Sequence, residues 1–445
     1  MPKGKIEWGK LMGKMSPYMI QKGLRYLKHY GVKEFWVRLH ERFEPEEVPY
    51  GPWYEQYIPT REELEKQRKK KWNYGPKISI IVPAYKTPEA FLRQLMDSLL
   101  AQTYANWELC IANASPEDAS MEYVLKEYAK KDSRILWKKL EENKGIAENT
   151  NEAFAMATGE FAGLLDHDDL LAPNALYEVA KALETEPDID VLYTDEDKVR
   201  GDEVLEHFQP HLKPDFNIDL LRSNNYICHF FVVRKSLLEK TGGFRREYDG
   251  AQDYDFIFRC TENAKEICHI PKILYHWRCH EDSTAENPES KLYAFEAGKR
   301  AVQEHYNRIG VKAEVFKGEY LGLYRTKFIR DYDPLISVII PNKDHIDDLK
   351  RCMDSIEKNS TYKNYEYIIV ENNSTDPATF EYYKKLEAEN PKVHMVYWDG
   401  VFNYSAINNY GASFAKGEYL LLLNNDTEII NSDCLEELLG YCMRE

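Results

Sequence analysis

The sequence predicts an α/β fold, a mostly parallel sheet with helices on both faces, and it predicts that fold twice. Three observations carry the reading. Short apolar strands alternate with helical stretches along most of the 445 residues, the signature of parallel sheets covered on both sides. A set of landmarks recurs in the same order from about residue 76 and again from about residue 334. An apolar strand, Glu160–Leu165, runs straight into Asp166-His167-Asp168-Asp169, a cluster of acids ill-suited to a core.

Composition sets the class. Hydrophobic residues make up 43% of the chain, ordinary for a globular protein, and the length allows two or three domains with cores of their own. No run of about 18 apolar residues exists, so no transmembrane helix is expected. The first residues lack the apolar core of a signal peptide. Eight cysteines scatter without a C-x-x-C pair and read as reduced, a cytoplasmic pattern. A formal net charge of -16 argues against nucleic acid as a partner, because phosphate backbones need a basic face.

In chain order, residues 1–75 form a basic, aromatic helical extension and linker. Lys10, Lys14, Lys22, Arg25 and Lys28 interleave with Trp8, Leu11, Met15, Leu24 and Leu27. That pattern suits amphipathic helices lying on an anionic membrane surface, or packing on the next domain with their Lys stems solvated. Glu44–Pro59 reads as a linker and Arg61–Lys71 as a charged helix. Residues 76–333 form the first domain, opened by Pro76-Lys-Ile-Ser-Ile-Ile-Val-Pro83, a buried-type strand closed by proline. A helix with Met96-Asp97-Ser98 follows, then the strand Trp107–Ile111, and later Ala157-Thr158-Gly159 introduces the strand that ends in the acids.

Residues 334–445 repeat this series. Pro334–Pro341, Met353-Asp354-Ser355, Tyr365–Val370, Ala415-Lys416-Gly417 and Asn424-Asn425-Asp426 match the landmarks one by one. The copy stops one helix after Asp426, so it reads as the first half of a domain, truncated from a longer chain. A half sheet with an exposed edge points the same way.

The acids suggest chemistry. Asp166 and Asp168, two apart at a strand end, suit a divalent cation held against a diphosphate, since hard cations take oxygen ligands. They equally suit a helix start, because Asp169 and Pro173 precede the helical stretch Asn174–Glu184. Ligands of open α/β sheets lie beyond the carboxyl ends of the strands, where these acids fall. Cys268, His269, His276, Cys279 and His280 crowd together, at spacings that fit no standard zinc pattern.

Residues 77 to about 280 resemble the family-2 glycosyltransferases of GT-A fold, a Rossmann-like α/β class, and 335–445 resemble the first half of another such domain. The carriers are Pro83-Ala84-Tyr85, Asn149–Gly159, Leu165–Asp169 for the family's L-D-x-D-D, Gln252-Asp253-Tyr-Asp255 with Arg259, and Tyr275-His276-Trp277. Tyr193-Thr-Asp195-Glu196-Asp197 and His211-x-Lys213-Pro-Asp215 are most similar to bacterial enzymes for rhamnan-type and O-antigen polysaccharides.

The resemblance implies nucleotide contacts at Pro83, Ala84, Tyr85, Asn113 and Asp166, and a Mg²⁺ or Mn²⁺ ion held by Asp166, Asp168 and His276. It implies Asp253 as the base that takes the acceptor's proton, and an acceptor side that includes Asp195, Glu196 and Asp197. The implied reaction is an inverting transfer from a nucleotide-diphosphate sugar, of dTDP-rhamnose or UDP-hexose type. The implied acceptor is a growing, lipid-linked cell-surface polysaccharide, met in the cytoplasm or at the inner membrane face through residues 1–43.

Plainer readings stand beside these. Asp253 and Asp255 also suit a helix N-terminus, His276 a satisfied core histidine, and Asp195–Asp197 a solvated turn after the strand Val191–Thr194. Lys213 and Arg222 suit either phosphate or a solvated face. The family's D-D-G-S becomes Ala112-Asn113-Ala114-Ser115, which removes a charge where the nucleotide is expected. The second copy keeps one acid, Asp426, and is expected to be inactive as it stands. A degenerate scaffold or binding subunit is therefore the rival function. A nucleotidyltransferase is a third, but Ala84–Glu89 lacks the Gly-rich loop it would use.

Overall fold

The computed structural model describes residues 49–201, 205–279 and 292–444, with scattered positions between 23 and 39. The amphipathic pattern expected over residues 1–43 lies largely outside the described residues. Two compact units emerge: Met1–Asn217, Ile227–Phe244 and Cys260–Ser290 in the first, and Ile218–Tyr226, Arg245–Arg259 and Lys291–Glu445 in the second. No described helix is long and apolar enough to cross a membrane.

The first unit is built on a 9-stranded sheet. Its strands are β1 (Ile78–Ala84), β2 (Trp107–Asn113), β3 (Ile135–Lys139), β4 (Phe161–Leu164), β5 (Leu170–Leu171), β6 (Ile189–Arg200), β7 (Glu206–His211), β8 (Phe231–Arg234) and β9 (Glu266–Arg278). They run in the order β3-β2-β1-β4-β8-β6-β9-β5, with β7 on β6. The first four are mutually parallel. β8 is antiparallel to both neighbours, and β9 is parallel to β6.

Sequence dictates this core. Every residue of β2 is buried, as is every residue of β1 but Pro83, because strands covered on both faces are apolar throughout rather than alternating. The helix Glu89–Leu100 buries Leu92, Leu95, Met96 and Leu99, one stripe at helical spacing. The helix Ala119–Lys131 starts where Asp118 accepts the Met121 N–H.

Two expectations change here. The stretch read as linker contains a helix, Tyr50–Tyr57, with Tyr50 and Tyr54 buried. A second helix, Arg61–Arg68, follows with a capping box on Thr60 and Glu63. Asp195–Asp197 form no solvated turn, because β6 continues to Arg200 between β9 and β7 and all three acids are buried.

The second unit holds the helix Leu292–Ile309, the antiparallel pair β10 (Ala313–Lys317) and β11 (Tyr324–Phe328), and a parallel sheet. That sheet comprises β12 (Ile336–Asn342), β13 (Tyr365–Glu371), β14 (Val393–Tyr397) and β15 (Tyr419–Leu422), in the order β14-β13-β12-β15.

The repeat extends to hydrogen bonds. Ser79 Oγ donates to Glu108 at 2.6 Å and accepts the Gly159 N–H at 2.8 Å. Ser337 does the same with Glu366 at 2.6 Å and Gly417 at 2.8 Å. Both glycines are sterically required: a Cβ on Gly159 would lie 2.6 Å from the Lys77 carbonyl oxygen, and one on Gly417 would lie 2.6 Å from Ser337 N. The sheets diverge at one edge. β4 is flanked by β1 and β8, whereas β15 pairs, among the described residues, with β12 alone and leaves Leu420 and Leu422 about half exposed.

Candidate active site

The carboxyl ends of β1, β2 and β4 set the stage in the first unit. Ala84 lies opposite Asn113 in register, and Tyr85 beyond it is exposed. Asn113 is fully buried, and its Oδ1 accepts the Ser115 N–H at 2.9 Å. Its Nδ2 has no hydrogen-bond partner, a buried donor short of an acceptor at the position assigned to the nucleotide.

β4 leads through Leu165 into the acids. Asp169 is fully buried and fastens the turn: Tyr275 Oη donates to its Oδ2, and the Arg278 N–H donates to its Oδ1 at 2.7 Å. Burial, then the charges of Asp168 and Asp166, push the Asp169 carboxyl well above the usual range, against the pull of the Arg278 N–H. Arg278 Nε also donates to the Asp168 carbonyl at 2.7 Å. Asp166, 47% exposed in its side chain, has His229 Nε2 3.7 Å away. The Asp166 and Asp169 carboxylates and the His229 imidazole offer ligand atoms all within 4.8 Å of one another. The Asp166 oxygen and the His229 nitrogen at that separation suit a divalent cation of the Mg²⁺ or Mn²⁺ kind, while both Asp169 oxygens already accept hydrogen bonds.

Behind them runs a buried chain that joins Glu196 and Lys213 to His229, a residue sequence reasoning missed. The His229 ring stacks on Tyr275 at 4.6 Å, and its Nδ1 lies 3.3 Å from Glu196. Lys213, weighed as a phosphate contact or a solvated side chain, has a fully buried side chain and donates to Glu196 at 3.1 Å and to the Ile227 and His229 carbonyls. Burial would raise Glu196, but the Lys213 ammonium and the His211 and His229 contacts outweigh it and hold the carboxyl well below the usual range. A lone histidine in the apolar run Tyr226–Val233 was the available signal for His229.

His276 belongs to a different group from Asp166 and Asp168. Its Nδ1 lies 2.6 Å from Asp197 Oδ1, while His207 Nδ1 and Tyr50 Oη meet Asp197 Oδ2 at 2.8 and 2.7 Å. Tyr54 Oη meets His276 Nε2 at 3.2 Å. Burial opposes the Asp197 charge, but the His207 and His276 contacts prevail and lower its pKa. Burial first, then the Asp197 charge, pushes the Tyr50 and Tyr54 phenols far up, so both hydroxyls keep their protons. The third acid, Asp195, accepts the Lys213 N–H at 2.8 Å and meets His269 at 2.9 Å. His269 and His276 thus serve different aspartates, and His276 groups instead with Asp197 and His207, whose ligand atoms lie within 4.8 Å of one another.

Asp253 lies in the second unit, in the first turn of the helix Gln252–Asn263. Asn225 Nδ2 donates to its Oδ2 at 2.8 Å. Two residues on, Asp255 is fully buried between Arg245 and Arg259, a structural ion-pair set. Arg222, weighed above as a phosphate contact, donates to His305 at 3.1 Å and pairs with Asp219 at 3.2 Å.

The strand ends of the second copy are tied to one another. Asn425 donates to Asn342 at 2.7 Å, Asn342 donates to Tyr383 at 2.7 Å, and Tyr383 donates to Glu371 at 2.8 Å. Asp426 is exposed.

Comparison with known proteins adds the lineage. The profile of glycosyl transferase family 2 matches residues 79–242 and 337–445, well over half the chain. An uncharacterized protein of Sinorhizobium fredii is 39% identical over 83% of this chain and 41% of its own length. The O-antigen biosynthesis protein RfbC of Myxococcus xanthus is 35% identical over 98% of this chain and 34% of its own. The chain thus spans about two fifths or less of these relatives. Among solved structures, S. aureus TarS with UDP-GlcNAc superposes with a TM-score of 0.42 at 23% identity, over 52% of this chain and 66% of TarS. The twofold profile match places the described sheets on the GT-A plan, and the chain belongs to glycosyl transferase family 2.

Proposed function

We propose that the first copy, residues 76–333, transfers a sugar from a nucleotide-diphosphate donor to a growing saccharide, with inversion, and that 334–445 is a partial second copy. The observation that carries the reading is the acidic turn after β4, where Asp169 is spent on holding the backbone and Asp166 is left facing His229. Such a division leaves Asp166, with its chain neighbour Asp168, as the acids we assign to a ligand. Those two residues would hold a Mg²⁺ or Mn²⁺ ion, which when bound supplies charge neutralisation at the departing diphosphate. His276, bonded to Asp197 and Tyr54, would serve that ion only by leaving both partners.

The chain's own residues do the rest. Pro83, Ala84, Tyr85 and Asn113 would receive the nucleotide, with Asn113 Nδ2 as donor. Asp253, oriented by Asn225, accepts the proton of the acceptor hydroxyl as the new bond forms. Direct displacement needs no covalent nucleophile. Asp195, Glu196 and Asp197 shape the acceptor side through their buried partners rather than as solvent-facing carboxylates. The relative named for O-antigen biosynthesis supports a cell-surface polysaccharide as product, and the donor we propose is of dTDP-rhamnose or UDP-hexose type. A lipid-linked acceptor would place the chain in the cytoplasm at the inner membrane face, touched through residues 1–43.

For the second copy, the closed set Asn425–Asn342–Tyr383–Glu371 favours a scaffolding role over catalysis. Calorimetry with UDP-, dTDP- and GDP-sugars and Mn²⁺ tests the whole reading. Metal-dependent binding of one nucleotide class, lost in Asp168→Ala, is expected; absence of binding to every donor would overturn it.

A further inference from the structure

We propose that a groove in the first unit binds an anionic oligosaccharide, a chain bearing carboxylate or phosphate groups. It lies beside the helices Tyr50–Tyr57 and Arg61–Arg68 and the start of the helix Ala175–Thr185. This rests on the transferase reading above and names the chemical class of its acceptor.

The cavity measures about 960 Å³, at the upper end of the range for small-ligand sites. Lys66, Lys69, Lys70, Lys181 and Lys272 line it, against the acids Glu63 and Glu178. Both acids are committed: Glu178 pairs with Lys272 at 2.7 Å, and Glu63 closes the capping box on Thr60. Lys70 pairs with Glu184 at 2.6 Å. No ion pair engages Lys66, Lys69 or Lys181 among the described residues. A surplus of uncommitted ammonium groups around one concavity, in a chain of net charge -16, selects an anion by complementarity.

The remaining lining selects a sugar. Tyr54, Tyr57 and Tyr177 contribute rings, apolar bodies with polar tips that suit the mixed faces of a pyranose. Tyr57 is held in place by stacking on Trp53 at 4.9 Å. Asn174 is buried in the wall, its Oδ1 has no hydrogen-bond partner, and it makes no cap bond to the helix it precedes. A buried, unused acceptor suits a hydroxyl donor, while the helix start adds positive character for the anion. Tyr54 also links the groove to the acids, since its hydroxyl meets His276 at 3.2 Å and His276 meets Asp197 at 2.6 Å.

The test is calorimetry on the full chain with oligogalacturonides, phosphorylated maltohexaose, neutral maltohexaose and polyglutamate. One of the two anionic saccharides is expected to bind at least tenfold more tightly than maltohexaose, and the tighter one identifies the anion as carboxylate or phosphate. Its affinity falls with added salt. Lys66→Glu/Lys69→Glu/Lys181→Glu is expected to lose at least tenfold while Mn²⁺-dependent nucleotide-sugar binding is unchanged, which shows that the fold survives. Tyr57→Ala is expected to weaken the saccharide several-fold. Equal binding of maltohexaose or polyglutamate, or an unaffected triple variant, overturns the proposal. Saccharide binding without any donor binding would sink the transferase reading and leave the groove standing; donor binding without saccharide binding does the reverse.

Discussion

The Tyr54 hydroxyl meets His276 Nε2 at 3.2 Å across 222 positions of sequence. With Tyr50 Oη 2.7 Å from Asp197, it makes a short N-terminal helix part of the wall around a buried acid. Both phenols work as neutral hydroxyls, because their ionisation is pushed far up.

Tyr50→Phe should therefore destabilise the first unit by about 1–3 kcal/mol, the usual cost of leaving a buried acceptor short of a donor. Urea unfolding checks this. Tyr57→Phe, whose hydroxyl makes only a long 3.5 Å contact to the Pro271 carbonyl, should be close to neutral.

Glu196 and Lys213 should couple strongly. Glu196→Gln alone strands a buried ammonium and should cost about 3–5 kcal/mol. Glu196→Gln/Lys213→Met should recover much of that loss. A double-mutant cycle by chemical denaturation reads the coupling, and simple additivity would show that the pair is not energetically joined.

The acid limb of stability should carry the signature of Glu108. Burial opposes its charge, but Lys77, Ser79 and Thr158 outweigh burial and lower its pKa to about 2. A carboxyl depressed in the folded state adds stability that is complete above its unfolded value and is lost as pH falls toward the folded one. The loss should run from about pH 4.5 down to 2. Glu108→Gln should flatten the profile in that window, measured as denaturation midpoints against pH.

Asp253 and Asp255 should part company. Asp253→Asn is expected to lower turnover by about 10²–10⁴ with an unchanged melting curve. Asp255→Asn should lower the melting temperature, because Arg245 and Arg259 lose their shared partner. Initial-rate assays beside calorimetric melts distinguish the two.

The repeat and the parallel core were legible because apolar runs such as Ile78–Val82 and Ile336–Ile340 have few other uses in a long chain. The acids after β4 were legible as a group, but their division of labour was not. Which of Asp166, Asp168 and Asp169 turns inward depends on Tyr275 and Arg278, more than a hundred residues away. Lys213 looked like surface because lysines usually are; its partners Glu196 and the Ile227 carbonyl become neighbours only through folding. Tyr50, Tyr54 and Tyr57 sit at helical spacing, and prolines on either side of them hid the helix. Asp195–Asp197 misled as a turn because acids rarely continue a strand unless histidines and a lysine await them.

The half-exposed leucines of β15 bear on how this polypeptide behaves in a test tube. An edge strand with no further strand beside it among the described residues, carrying half-exposed Leu420 and Leu422, is a template for recruiting another molecule. Preparations should turn turbid as concentration rises, and Leu420→Lys with Leu422→Lys should keep them clear by light scattering.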